Sequence, residues 1–317
     1  MLIIIWSIVL AIVVSLFVFF AVGRQFSWNL FNFDFGFGGD RSSFITVQEQ
    51  SFTEEEIAEL SANWISGSVH ITVGGSEIRV VQKANADLPE KYRANIEQRG
   101  DSLSIQDRRG GFHLISFGGR PTDLEIYLPE KTYRSLDIST TSADIVSDPL
   151  RAGSLKIKTT SGEISTGGDV DTAEVTSVSG DLRLTGLKAM GRLTLSTTSG
   201  EISGDEMACT DMKASTVSGD LRLAGAFTGS LDASTTSGEV FLDSSAAPSG
   251  MKAHSVSGGI LLRIPPNSGF TLNFHSTSGK FYSDFETTGN GSTYTHGDGS
   301  RSYSANSTSG SVRLQKH

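Results

Sequence analysis

The chain has a single cysteine, Cys209, among 317 residues. One thiol excludes an intrachain disulfide framework and any zinc site built from several cysteines. The expected role of Cys209 is that of a small, half-buried residue. A reactive thiol is the alternative, and no histidine stands near it in sequence. The six histidines, His70, His113, His254, His275, His296 and His317, include no two at ligand spacing on one short segment. An excess of basic charge is also lacking. Thirty-five acids face 26 lysines and arginines, a net charge of −9, and Lys156, Lys158, Arg183 and Arg222 are scattered rather than blocked together. A nucleic-acid partner is therefore not expected. There is no G-x-S-x-G elbow and no phosphate-binding loop, and Gly36-x-Gly38-Gly39 lacks the strand–helix context of a dinucleotide fingerprint. The expectation is of no enzyme, no catalytic or cofactor-binding residues, no cofactor and no metal. The apolar fraction is low as well, 37%, against roughly 45–50% with Gly counted in globular chains. Ser, Thr and Gly fill the gap, which suits many strands and turns around a thin core.

One long apolar run is present. Leu2 to Val22 carries no charge and only two polar residues, Ser7 and Ser15. As a helix rising about 1.5 Å per residue it would span roughly 30 Å, the thickness of a bilayer core. A single uncleaved transmembrane anchor over residues 1–23 is expected. A cleaved signal peptide, with Ala21-Val22-Gly23 as the processing site, is the alternative, but the run starts at Leu2 with no basic segment before it. Arg24 just after the run would by itself hold the rest of the chain in the cytoplasm. Residues 24–43 form an aromatic, glycine-rich linker, with Phe31, Phe33, Phe35 and Phe37 in alternation. Such residues favour the headgroup level of a bilayer; an aromatic strip that binds a partner is the sharper reading.

From residue 44 to 317 the chain reads as a domain of repeated strands. Nine copies of a short tag recur: Thr141-Ser142-Ala143-Asp144-Ile145, Thr160-Ser161-Gly162-Glu163-Ile164, Val178-Ser179-Gly180-Asp181-Leu182, Thr198-Ser199-Gly200-Glu201-Ile202, Val217-Ser218-Gly219-Asp220-Leu221 and Thr236-Ser237-Gly238-Glu239-Val240, then degenerate copies at Gly258, Gly279 and Gly310. From Ala143 to Gly279 the steps are 19, 18, 20, 19, 19, 20 and 21 residues. So constant a pitch predicts an all-β solenoid of coils of about 19 residues, two short strands each, because one such unit cannot bury its apolar face alone. A long antiparallel meander or sandwich is the runner-up. Residues 44–135 read as irregular early coils with longer loops at 83–92 and 107–122, and 136–317 as regular coils with an exposed insertion near 287–300. Thr53 and Glu56 could cap a helix start, although an irregular strand fits equally. Val312-Arg313-Leu314 is expected at the open end of the stack, with Lys316 and His317 blunting its edge.

The tag itself predicts a corner, with glycine adopting a backbone conformation that a Cβ forbids. Glu163, Asp181, Glu201, Asp220 and Glu239 would stack into an acidic column, and Arg183 and Arg222 follow the Asp-type copies two residues later, on the same face of the strand. A structural charge ladder is the expected role; cation binding is the alternative. The alternation of Thr-type and Val-type copies makes a pair of coils, about 38 residues, the natural unit.

The opening Ile65-Ser66-Gly67-Ser68-Val69, the segment Leu124-Glu125-Ile126-Tyr127-Leu128-Pro129 and the serial Thr-Ser-Gly-Glu-Ile and Val-Ser-Gly-Asp-Leu-Arg-Leu tags together resemble the bacterial putative-adhesin family of β-strand-repeat proteins. The resemblance covers about residues 50–316. It implies a solenoid-like β domain attached to the bacterial envelope and, against the weak opposite vote of Arg24, favours an extracytoplasmic placement of the soluble part; the cytoplasmic side is the alternative. It carries over no catalytic residues and names no ligand-binding ones. The expected function is a non-enzymatic, adhesin-like binding or scaffold surface, its partners the membrane and an unidentified protein or carbohydrate. A regulatory, stress-sensing partner of a membrane signalling system is the alternative, and a carbohydrate-active β-helix enzyme a lesser one.

Overall fold

Alternating apolar and polar residues give each strand an inward and an outward face. In the computed structural model, which describes residues 44–53, 56–109 and 122–317, this alternation builds two parallel ladders. Leu150–Lys158 illustrates the first: Leu155 and Ile157 are buried, and Lys156 and Lys158 face outward. Leu155 lies opposite Leu136 of the preceding coil and opposite Ala173 of the next. The second ladder stacks Ile145, Ile164, Leu182, Ile202, Leu221, Val240 and Ile260 in register. All seven are at most 1% exposed. Burying one such side chain contributes roughly 1.5–3 kcal/mol, so a core only two side chains thick is sustained by its length along the stack.

Neighbouring strands of the repeat body run parallel, one pitch of the sequence apart. A meander is excluded, since it would pair neighbours antiparallel through short hairpins. Three long strands, Ile164–Thr176, Leu182–Ser196 and Ile202–Ser215, serve both ladders. Their first residues pair in one ladder and their last in the other, with a register shift at the corner between. Leu182–Ser196 holds two extra residues relative to Ile164–Thr176 and one relative to Ile202–Ser215, and Met190, at the shift common to both, is 78% exposed. This accounts for the longer step from Gly180 to Gly200.

At both ends the stacking departs from chain order. The strand Glu59–Trp64 sits between Ser102–Gln106 and Tyr133–Thr140. Likewise Gly67–Val73 sits between Thr122–Leu128 and Asp144–Ser147. The second coil of the chain is therefore the outer one. The far end mirrors this. Arg301–Ser307 lies between Gly250–Ser255 and Gly269–Ser276, and Val312–Lys316 between Ile260–Ile264 and Phe281–Ser283. The segment 312–314 is thus interior, not the open edge expected from its position in the sequence. Antiparallel strands close the stack: Ile45–Thr53 on Glu77–Ala84 and Asn95–Arg99 on Ser102–Gln106 at one end, Thr293–Gly297 on Gly269–Ser276 at the other.

The possible helix start at Thr53 falls partly outside the described residues, at 54–55; Ile45–Thr53 is a strand, and Glu59–Trp64 is another, with Leu60, Ala62 and Trp64 buried in alternation on the first ladder. The loop at 83–92 holds one short 3-10 turn, Glu90–Tyr92. The insertion near 287–300 is a hairpin of Thr288–Asn290 and Thr293–Gly297 rather than a loop. The Leu2–Val22 span, the aromatic strip of residues 24–43 and most of the 107–122 loop lie outside the described residues. Among those described, no helix is long and apolar enough to cross a membrane.

Candidate binding surface

What a repeat can offer a ligand depends on which of its polar groups are already committed. The tag commits most of its own. The residue three before each tag glycine is always Ser or Thr, and it is buried or half-buried at the corner. At Thr216 the hydroxyl accepts the Gly219 N–H at 3.2 Å and donates to the Gly200 carbonyl, one coil back, at 3.0 Å. Thr197, Thr235, Ser255 and Ser307 repeat both bonds. The sequence carries this hydroxyl ladder without marking it, because the position lies outside the Ser-Gly tag and reads as ordinary strand serine or threonine.

The glycines act differently from the expectation. Positive-φ glycines occur elsewhere in the described chain, but Gly180 and Gly219 are not among them. Their constraint is contact: a Cβ on Gly180 would lie 1.7 Å from the Gly162 carbonyl oxygen, and one on Gly219 1.8 Å from that of Gly200. Hydrogen fits where methyl cannot, so the coils stack corner on corner.

The residue after each glycine forms the acidic column, and it too is committed. Asp144, Asp181 and Asp220 each accept the backbone N–H of the Glu one coil on, at 2.8–2.9 Å. Aspartate is short enough to reach that neighbour, which explains its alternation with Glu. Arg222 bridges Glu201 at 2.5 Å and Asp220 at 2.6 Å. These bonds raise the Arg222 pKa, the hydrogen bond to Glu201 most. Arg183 bridges Glu163 and Asp181 in the same way. The column is a charge ladder, and among the described residues no group of three potential ligands could hold a metal ion.

Cys209 is buried at 5% exposure, and its thiol is pushed up to about 12, by burial first and the nearby Asp211 charge second. The reactive-thiol reading has no support there. The Gly-Asp sequence at 297–300 is a local turn, in which the Asp298 carboxylate accepts the Ser300 N–H at 2.9 Å.

The outward-facing residues of the two ladders stay open to solvent. The first bears mixed charge, with Lys156, Glu174, Thr194, Lys213, Asp232 and Lys252 in one line. A groove of about 530 Å³ crosses this line, bounded by Met190, Lys156, Glu174, Arg192 and Asp211. The second face carries the arginine column next to the acids. Its line continues from Arg222 through Phe241, Leu261 and Arg313 to Tyr282. A smaller cavity of about 300 Å³ lies at one corner, among Val73, Leu128, Tyr133, Leu150 and Asp148.

Comparison with known proteins agrees with this architecture. A search of curated proteins returns no match. Among solved structures, a putative adhesin from Parabacteroides distasonis covers 85% of this chain and 96% of its own, at 13% identity and a TM-score of 0.51. A putative adhesin from Parabacteroides merdae covers 85% and 95%, at 14% identity and a TM-score of 0.48. At such identities the likeness concerns the fold alone. The family model described as Toastrack DUF4097 matches residues 57–315, which is nearly the whole stack of coils. The chain belongs to the Toastrack DUF4097 family.

Proposed function

We propose that the solenoid is a non-enzymatic, adhesin-like binding or scaffold surface, held at the outer side of the cell envelope by the Leu2–Val22 segment. One observation carries this reading. The repeated Ser, Thr and acid groups that resemble chemistry are already engaged, the hydroxyls by backbone inside the stack and the acids by backbone and arginine on its surface. The outward faces are long, and the ion pairs on them bridge neighbouring coils, which suits binding along a surface rather than turnover in a cleft. The names of the solved relatives, putative adhesins, support the same reading.

The test uses the full chain in bacterial cells. Protease added to intact cells should cleave the 44–317 domain, and cells carrying the chain should adhere to a glycan- or protein-coated surface better than cells lacking it. A domain protected until the membrane is breached would overturn the placement. Adherence equal with and without the chain would overturn the binding role.

A further inference from the structure

We propose that the C-terminal end of the second face binds an acidic glycan chain, laid along the solenoid axis over Phe241, Leu261, Arg313 and Tyr282. The inference rests on the binding-surface reading above and gives it a ligand class.

The argument starts from one position occupied three times by arginine. Arg183, Arg222 and Arg313 all stand three residues after a tag glycine, on the outer line of the second ladder. Arg183 and Arg222 are each held by two carboxylates. Arg313 has none among the described residues; its guanidinium lies 5.8 Å from the centre of the Tyr282 ring. The cause is a change in the neighbouring column. A carboxylate stands there at every coil from Asp144 to Glu239, and then the line continues as Gly259, Ser311 and Lys280. The repeat keeps its arginine after its acids have gone. In a chain of net charge −9, the face thus changes from a column of six carboxylates met by two arginines to an end that carries Arg313 and Lys280.

The surroundings of Arg313 narrow the partner. Phe241 and Leu261 are half-buried, and Tyr282 is 50% exposed. Phe241, Leu261, Arg313 and Tyr282 occupy successive steps of the ladder, each about 4.8 Å. A row of partly exposed apolar and aromatic side chains, with Arg263 beside the Phe241 ring and the Arg313 guanidinium beside that of Tyr282, matches a linear polymer of rings bearing carboxylates. The slightly positive C–H face of a sugar meets the negative face of an aromatic ring, and a carboxylate meets arginine in a bidentate pair. A lipid surface would call for a broad, protruding apolar area, which this single line does not provide.

The experiment measures binding of oligogalacturonate to the full chain in detergent, beside cello-oligosaccharide, polyglutamate and phosphatidylglycerol vesicles. Oligogalacturonate should bind, more weakly as salt rises, and the neutral oligosaccharide should not. Arg313→Gln should weaken binding about tenfold or more, Tyr282→Ala should weaken it too, and Arg222→Gln should leave it unchanged. Thermal melts confirm that the exposed-site variants fold. Absent oligogalacturonate binding, binding indifferent to Arg313→Gln, or polyglutamate or vesicles bound as tightly would each overturn the proposal. Adherence of cells that survives Arg313→Gln would leave the broader binding role standing while this inference fails.

Discussion

The Thr197 hydroxyl donates to the carbonyl of Gly180, one coil back, at 3.1 Å. The same oxygen accepts the Gly200 N–H at 3.2 Å, so a single buried atom ties two coils together and closes its own corner. Thr197→Val keeps the shape and removes both bonds, leaving a buried donor and acceptor unsatisfied. The expected loss is about 1–3 kcal/mol by denaturant titration. Thr197→Ser should recover most of it. Equal stability of the Val and Ser variants would refute the role given to the hydroxyl.

Gly200→Val and Gly219→Val should each destabilise the domain more than the threonine change. Even a bare Cβ would stand 2.2 Å from the Gly180 oxygen in the first case and 1.8 Å from the Gly200 oxygen in the second. The obstacle is backbone, which cannot swing aside, so two ladders must part locally. Silent thermal melts for both variants would sink the close-approach account.

Arg222 offers the opposite expectation. Its partners Glu201 and Asp220 are exposed to much the same degree as it is, so Arg222→Gln should cost only about 0–1 kcal/mol and less in high salt. A large, salt-independent loss would mean that the ladder matters to the fold far more than solvent-screened pairs do.

Glu125 supplies a pH dependence. Burial pushes its carboxyl up, but the bonds from Lys83 at 2.6 Å and from the Tyr127 hydroxyl at 2.9 Å outweigh it and leave the pKa lowered. A carboxylate depressed in the folded state contributes stability above its unfolded pKa, which disappears as pH falls through the folded one. Glu125→Gln should therefore flatten part of the stability loss below about pH 4. An unchanged acid limb would show that the Lys83 pairing adds nothing to folding.

Cys209 should resist thiol reagents in the native protein. Its thiol is pushed up to about 12, so little thiolate exists at neutral pH. Labelling should follow global unfolding in denaturant. Rapid labelling of folded protein would contradict the burial.

Much of the fold is readable in the sequence because a solenoid is periodic: the spacing of Gly162, Gly180, Gly200 and Gly219 sets the coil length, and inward aliphatics such as Leu155 and Leu182 follow from alternation. The interleaved ends are not readable. Leu60 and Leu136 would pack against any neighbour that presents an aliphatic residue at the same height, so the pattern at 102–106 says nothing about which side of 59–64 it occupies. The surface at Arg313 is half readable. Ser311 and Lys280 stand in the sequence where acids stood before, yet only the inserted last coil brings Arg313 between Leu261 and Tyr282.

That insertion has a mechanical consequence for a protein under tension. Val312–Lys316 is bonded on both sides, to Ile260–Ile264 and to Phe281–Ser283. A pull applied beyond Lys316 cannot peel an outer strand away bond by bond. It must slide the strand lengthwise between two neighbours, so many hydrogen bonds bear the force at once and the unfolding rate under load falls accordingly. A fully sequential stack would unzip from its tip; this one is stitched shut by its own last turn.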